Sequence, residues 1–389
     1  MIYSKGKHSK PKLRFSQFES EWDQAKMHTL TSVLRCGIAA TPTYVEEGVP
    51  FLSAQNVSRT GNINLNKYSF ISEDYYRKLS KNHSLKKGDI LYSRVGATYG
   101  NAAIFPYEGD FGVYVSLTHI RTREGISNSY MKYFLNSPYG KRQAFKGVFQ
   151  GGGVPNLNVK VVEKFDVTYP SLPEQQKIAV FLSAVDKKLQ LLQRKKELLE
   201  QYKKGVMQKL FSQEIRFKDE DGKDYPDWEE KYLGDILSIG SGRDYKHLGK
   251  GNVPVFGTGG YMLSVDKPLY SGESVFIGRK GTIDKPFYYE GDFWTVDTLF
   301  YTHQFNGIIP KFVFLIFQMI NWKSHNEASG VPSLSKSTIE RILVNIPHYQ
   351  EQMKIALFVF SLDEKIKSLD TQLLTAQQFK KGLLQQMFV

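Results

Sequence analysis

The chain contains one of its own segments twice. Pro170-Ser-Leu-Pro-Glu-Gln-Gln-Lys-Ile-Ala-Val-Phe181 returns 177 residues later as Pro347-His-Tyr-Gln-Glu-Gln-Met-Lys-Ile-Ala-Leu-Phe358. The register runs on without a gap through Lys204-Gly205 and Lys381-Gly382 to Phe211 and Phe388. Between 170–211 and 347–388, 16 of 42 paired positions are identical. Such a duplication builds a molecule with two similar halves, which suits a target that also has two halves.

Both copies are patterned as long helices. Apolar residues fall at Ile178, Leu182, Val185, Leu189, Leu192, Leu199, Val206 and Leu210 in the first. The second has Ile355, Val359, Leu362, Ile366, Leu369, Leu373, Ala376, Leu383 and Met387. Alternating steps of three and four over some five heptads mark a coiled-coil seam. Lys196 and Lys203 interrupt the first seam, and Lys380 the second. Each segment covers roughly 38 residues, about 57 Å of straight helix. Each is expected to begin just after a proline, Pro173 or Pro347, that ends the preceding element. Two equal seams in one chain pair most simply with each other, in an antiparallel arrangement. The alternative is that each seam packs against a partner protein's helix.

The repeat extends upstream. Gly153-Val-Pro-Asn-Leu-Asn158 matches Gly330-Val-Pro-Ser-Leu-Ser335 at the same offset of 177. Glycine permits positive φ and proline fixes the next turn, so this reads as a loop that re-aims the chain. A strand follows in each copy, Phe165–Tyr169 and Ile342–Ile346, and a helix is expected before it, Ser129–Phe145 and Pro310–Trp322. Further back the register drifts while the order holds. Arg14-Phe15 leading to Trp22 parallels Arg216-Phe217 leading to Trp228. Gly88-Asp-Ile-Leu-Tyr-Ser-Arg-Val-Gly-Ala-Thr98 parallels Gly272-Glu-Ser-Val-Phe-Ile-Gly-Arg-Lys-Gly-Thr282, each a β-rich run ending in a glycine-bearing loop with an arginine. The globular middles, rich in Gly, Tyr and Phe, match each other poorly. The copies therefore share a scaffold and differ where a binding surface could lie.

Composition narrows the partner. Lys and Arg number 52 against 39 Asp and Glu, a net charge of +13. That sign favours a polyanion, nucleic acid or an anionic membrane, although a merely basic protein would show it too. The single cysteine, Cys36, excludes a disulfide framework and a cysteine zinc site, and fits a reducing compartment. The N-terminus has basic residues with no apolar run after them, unlike a signal peptide. The longest apolar run, Phe312–Ile320, is far short of the ~20 residues of a membrane span and reads as a buried helix. A cytoplasmic location is expected, without membrane contact.

Catalytic motifs do not emerge. Gly249-Lys250 lacks the glycine that opens a P-loop, and Gly257-Thr-Gly-Gly260 lacks the last glycine of a dinucleotide fingerprint. No Asn-Pro-Pro-aromatic or Asp-Pro-Pro-Tyr tetrapeptide is present. Pro226-Asp-Trp-Glu-Glu-Lys231 is too tightly spaced for a nuclease's metal-binding strands. The eight histidines show no ligand spacing. A binding protein is expected, with no catalytic and no metal-binding residues.

The Pro-x-x-x-Glu-Gln-x-Lys-Ile-Ala-x-Phe helix starts, the Lys-Lys-Gly near each helix end, the Gly-Val-Pro-x-Leu loops and the early Arg-Phe and Trp pairs together resemble the specificity subunit of Type I restriction–modification systems. The resemblance covers nearly the whole chain and rests on the duplicated order more than on any single motif. It implies an α+β fold in which two mixed α/β globular target-recognition domains alternate with two long helices, paired as an antiparallel coiled coil, pseudo-two-fold overall. The expected boundaries are an N-terminal segment 1–19, a first target-recognition domain 20–169, a first spacer helix 170–212, a linker 213–225, a second target-recognition domain 226–346 and a second spacer helix 347–389. The resemblance also implies that each domain reads one half of a split site in double-stranded DNA. The helices would set the spacer and dock two methyltransferase subunits, which restriction (translocase-nuclease) subunits join. S-adenosylmethionine, ATP and Mg²⁺ would then belong to those partners, with no cofactor on this chain. A freestanding nucleic-acid-binding protein and a coiled-coil adaptor whose globular parts bind protein are the alternatives.

Candidate DNA-reading residues lie in loops. Arg94, Thr98, Tyr99 and Asn101 share one glycine-flanked loop, and Arg279, Lys280 and Thr282 share its counterpart. Arg can grip guanine O6 and N7 together, and Asn can do the same for adenine. Gln150, beside three glycines, and the Arg243-Asp-Tyr245 stretch are further candidates. Each has a bland alternative as a turn or surface residue. The helix lysines Lys187, Lys188, Lys195 and Lys196, with Arg194, could touch phosphate or form the solvated face of the coiled coil.

Overall fold

The computed structural model describes residues 10–39, 42–80, 84–148 and 155–389. The chain divides into two compact units: residues up to Arg194 together with Asp370–Val389, and Lys195–Leu369. Packing thus shares each long helix between units, whereas chain order assigns each helix its own segment.

In the first unit, four strands lie in the order Thr31–Cys36, Leu117–Thr122, Ile90–Ser93 and Ala102–Ile104, all neighbours antiparallel. Ile90–Ser93 is buried throughout, as its unalternating Ile-Leu-Tyr-Ser run requires. A smaller sheet holds Tyr44–Val45, Ser69–Ile71, Val49–Leu52 and Gly112–Val113, the last two parallel. The helix expected over Ser129–Phe145 is two helices, Asn128–Asn136 and Pro138–Gly147. Ser137 ends the first in an extended conformation (φ −71°, ψ 163°) and caps the second through the Gly140 N–H. Pro138 enforces this, because it disfavours helical geometry at the residue before it and starts a helix well.

The second unit repeats the plan. Ser238–Ser241, Leu299–His303, Tyr270–Gly278 and Phe287–Thr295 lie in the same order, and Lys250–Gly257 and Gly260–Val265 extend the sheet. Phe287–Thr295 joins Lys250–Gly257 in parallel, as Gly112–Val113 joins Val49–Leu52. Each unit also has an antiparallel strand pair at the foot of its long helix: Asp23–Lys26 with Asp166–Tyr169, and Glu229–Tyr232 with Leu343–Ile346. The apolar run near residue 312 is the buried helix Pro310–Met319, and Trp322 begins a separate 3-10 turn. Among the described residues, no helix is long and apolar enough to cross a membrane.

The long helices are Leu172–Phe211 (40 residues) and Tyr349–Gln386 (38 residues). Pro173 lies inside the first turn, not before it, where its missing N–H costs nothing. The helices pair antiparallel at both ends. In the first unit Ile178 and Leu182 share a core with Leu383, Met387 and Phe388. In the second, Met207 and Leu210 share one with Ile355 and Val359. Two of the lysines that break the seams answer an aspartate on the opposite helix. Lys380 Nζ lies 2.6 Å from Asp186 and Lys203 Nζ 2.5 Å from Asp363, residues equivalent under the repeat.

The Glu-Gln pair near each helix start seats the helix on its globular part. Glu174 and Glu351 are fully buried, as are Gln175 and Gln352. Arg14 Nε and Nη2 donate to the two Glu174 oxygens, both at 2.8 Å. Arg216 does the same for Glu351 at 3.2 and 2.8 Å, joined by Trp228 Nε1 at 3.2 Å. Gln175 takes the Ser127 N–H and donates to the Pro170 and Gly125 carbonyls. Gln352 takes the Ile309 N–H and donates to the Pro347 and Gly307 carbonyls.

Candidate nucleic-acid interface

In each unit a strand that is buried where it ends runs into the arginine-bearing loop, and the segment after the Gly-Val-Pro motif crosses that loop. Leu157 N–H donates to the Arg94 carbonyl and Leu334 N–H to the Arg279 carbonyl, both at 2.9 Å. Val95 bridges to Asn156 and Lys280 to Ser333. Leu157 and Leu334 are buried and anchor the crossing. Two motifs 63 residues apart in the first copy (Arg94 to Leu157) and 55 in the second (Arg279 to Leu334) thus form one site, and they do so twice.

A third segment joins them. In the first unit it is the turn Ala54–Asn56, whose Ala54 carbonyl accepts from Thr98 Oγ1 at 3.4 Å and whose N–H donates to Ser116 Oγ at 2.9 Å. In the second it is the hairpin tip at Thr258, against Gly278 and Gly281. A Cβ on Gly278 would lie 2.1 Å from the Thr282 carbonyl oxygen, so only glycine lets this loop close. Arg243 enters the same end of the sheet, its N–H donating to the Thr295 carbonyl at 2.8 Å.

The candidate residues fall into two groups. Arg94 is buried: its guanidinium donates to the Leu157 carbonyl at 2.8 Å, the Val115 carbonyl at 3.0 Å and Asn156 Oδ1 at 3.4 Å, tying its loop to two other segments. Thr98 is half-buried beside Ser93 Oγ at 3.0 Å. Asn101 donates to the Ser58 carbonyl at 3.4 Å, and its carbonyl oxygen accepts from Lys141. Tyr99, Tyr245 and Thr282 are half-buried. Arg243, Arg279 and Lys280 are exposed; Arg279 lies over the Phe300 ring and donates weakly to the Asp297 carbonyl at 3.4 Å. Gln150 lies outside the described residues.

Sequence reasoning missed Lys141 and Gln55. Lys141, on the helix Pro138–Gly147, donates to the Gly100 carbonyl at 2.5 Å from beneath the loop, and burial pushes its ammonium down to about 8. It is 40 residues from that loop in sequence, so nothing local signalled it. Gln55 is exposed on the turn that Thr98 braces. At the opposite end of the strand Ile90–Ser93 from the loop, Asp89 accepts from His119 at 2.7 Å and from Arg121 at 2.7 and 2.6 Å. Burial works against its charge, but these bonds and the Lys86 N–H outweigh it and hold the carboxyl at about 2.

Two copies of one loop cluster, braced by Arg94, Thr98, Asn101 and Lys141 in the first unit and carrying the exposed Arg243, Arg279 and Lys280 in the second, define a protein with two recognition sites. The sequence profile of the family described as Type I restriction modification DNA specificity domain matches residues 39–201 and again 225–376, and the chain belongs to that family. It is 22% identical to the putative type I restriction enzyme MjaX specificity subunit of Methanocaldococcus jannaschii over 394 residues, covering 92% of this chain and 90% of the relative. It is 23% identical to the MjaVIII specificity subunit of the same organism, covering 78% and 79%. Its fold is similar to that of the S subunit of a Type I system from M. genitalium, with a TM-score of 0.66 at 19% identity over 98% of this chain and 99% of that one. A chain from a structure of type I R-M complex assembly gives 0.58 at 13% identity, over 94% and 97%.

Proposed function

We propose that each unit reads one half of a split sequence in double-stranded DNA and directs methyltransferase subunits to it. The observation that carries this is the loop cluster built twice on one topology, with Arg243, Arg279 and Lys280 exposed in the second copy and Gln55 exposed beside the half-buried Tyr99 loop in the first. The exposed cations suit phosphate or guanine, whereas Arg94, Thr98 and Asn101 hold the loop that presents their neighbours. The net charge of +13 supplies sequence-independent affinity for the duplex.

In this reading the paired helices set the gap between half-sites and dock two methyltransferase subunits, which restriction subunits join. Val180 and Leu357, equivalent under the repeat, are 66% and 76% exposed at the starts of the two helices, and such apolar surface fits a partner protein. The chain itself carries out no chemistry. S-adenosylmethionine, ATP and Mg²⁺ act on the partners, in the cytoplasm.

The test is to express the chain with its neighbouring methyltransferase subunit and map modified adenines in host DNA. A split motif with a fixed gap, present only with this chain, is the expected result. A soluble complex without new methylation would favour a freestanding nucleic-acid binder, and failure to form a complex would favour an adaptor.

A further inference from the structure

The loop Asn326–Ser335 is held rigid from behind. Glu327 N–H donates to the Ser333 carbonyl at 3.0 Å, and Ser333 N–H to Asn326 Oδ1 at 2.9 Å. The Ser335 hydroxyl donates to Glu327 Oε1 at 2.7 Å, and the Thr338 hydroxyl donates to the same oxygen. Yet the front of this loop is apolar. Val331 is 66% exposed and Pro332 is exposed beside it. A valine left in water on a braced loop contributes little to folding, and holding it there in advance lowers the ordering cost of a contact made later.

Its neighbours are cationic. The Pro332 carbonyl accepts from Gly281 N–H at 2.8 Å, Ser333 bridges to Lys280, and Leu334 N–H reaches the Arg279 carbonyl. The same Gly-Val-Pro occurs at Gly153–Pro155, of which Gly153 and Val154 lie outside the described residues. The cation-bearing loops differ between copies, but this tripeptide does not. A side chain identical in two units cannot tell two half-sequences apart. It suits what both half-sites share, the sugar and backbone surface of the duplex.

We infer that Val331 and Pro332 form an apolar contact to the groove wall of duplex DNA, a shape-reading wedge that acts independently of base sequence. This rests on the DNA-reading function proposed above and adds to it a role for the duplicated tripeptide. The test uses the complex with the methyltransferase subunit and measures duplex affinity against salt, together with the methylated motif. Val331→Ser is expected to weaken binding about tenfold on matched and unmatched duplexes alike. The motif, the thermal stability and the slope of log affinity against log salt stay as in the parent, and Val331→Ile retains affinity. Lys280→Gln, by contrast, lowers the salt slope by about 1. Unchanged affinity in Val331→Ser, a changed base in the second half-site or a fall in thermal stability would each overturn the wedge. A parent complex with no salt-dependent duplex affinity would overturn the recognition reading itself.

Discussion

The side chains that look most reactive in this chain are spent on architecture. Arg94 stands in a glycine-rich loop after a strand, where an exposed guanidinium would suit guanine, but its donors go to the Leu157 and Val115 carbonyls and to Asn156. Sequence locates such a loop without revealing which way its arginine turns, because the acceptors lie 21 to 63 residues away. The repeated Glu-Gln was legible as a motif, but its burial was not, since charged residues are rarely buried unless paired. Glu351 is fully buried and needs Arg216. Arg216→Met is therefore expected to cost roughly 3 kcal/mol in urea unfolding, with much of that recovered in Arg216→Met/Glu351→Gln. A loss near zero would mean that the pair does not seat the helix. Acid should act on the first unit through Asp89. Its folded carboxyl sits at about 2 against an ordinary 3.8, so its contribution is full above about pH 4 and is lost as pH falls towards 2. Thermal melts across that window should fall in the parent and fall less in Asp89→Asn; equal slopes would contradict this.

At the scale of elements, periodicity carried most of the information. The seam residues from Ile178 to Leu210 and from Ile355 to Met387 are buried or half-buried, as a 3–4 alternation requires. Lys203 and Lys380 looked like defects because one helix's pattern says nothing of the group opposite. Each meets an aspartate across the antiparallel pair, a polar contact of the kind that fixes register. Lys203→Asp should cost about 2–3 kcal/mol by opposing Asp363, and the swap Lys203→Asp/Asp363→Lys should restore most of it. No restoration in chemical unfolding would show that the two residues act separately. The strand order was not legible, because hydrogen-bonded neighbours such as Ile90–Ser93 and Leu117–Thr122 are joined by long connections that no local pattern encodes. The break at Ser137-Pro138 was readable from the proline, through which the expected single helix Ser129–Phe145 ran.

For the whole molecule, the duplication read from residues 170–211 and 347–388 extends far beyond the helices. Poorly matching middles fold into the same four-strand order, because alternation and burial can be met by many sequences while the frame stays fixed. That is why the scaffold was legible and the binding surface was not. The cation-bearing loop of each cluster differs between the copies, whereas the Gly-Val-Pro tripeptide beside it does not. The central claim is that each copy reads its own half of the target. It is tested most directly by replacing residues 20–169 with the matching domain of another family member and mapping methylation with the methyltransferase subunit present. A motif changed in one half only, with the other half and the gap retained, is the predicted result. A change in both halves would contradict the account.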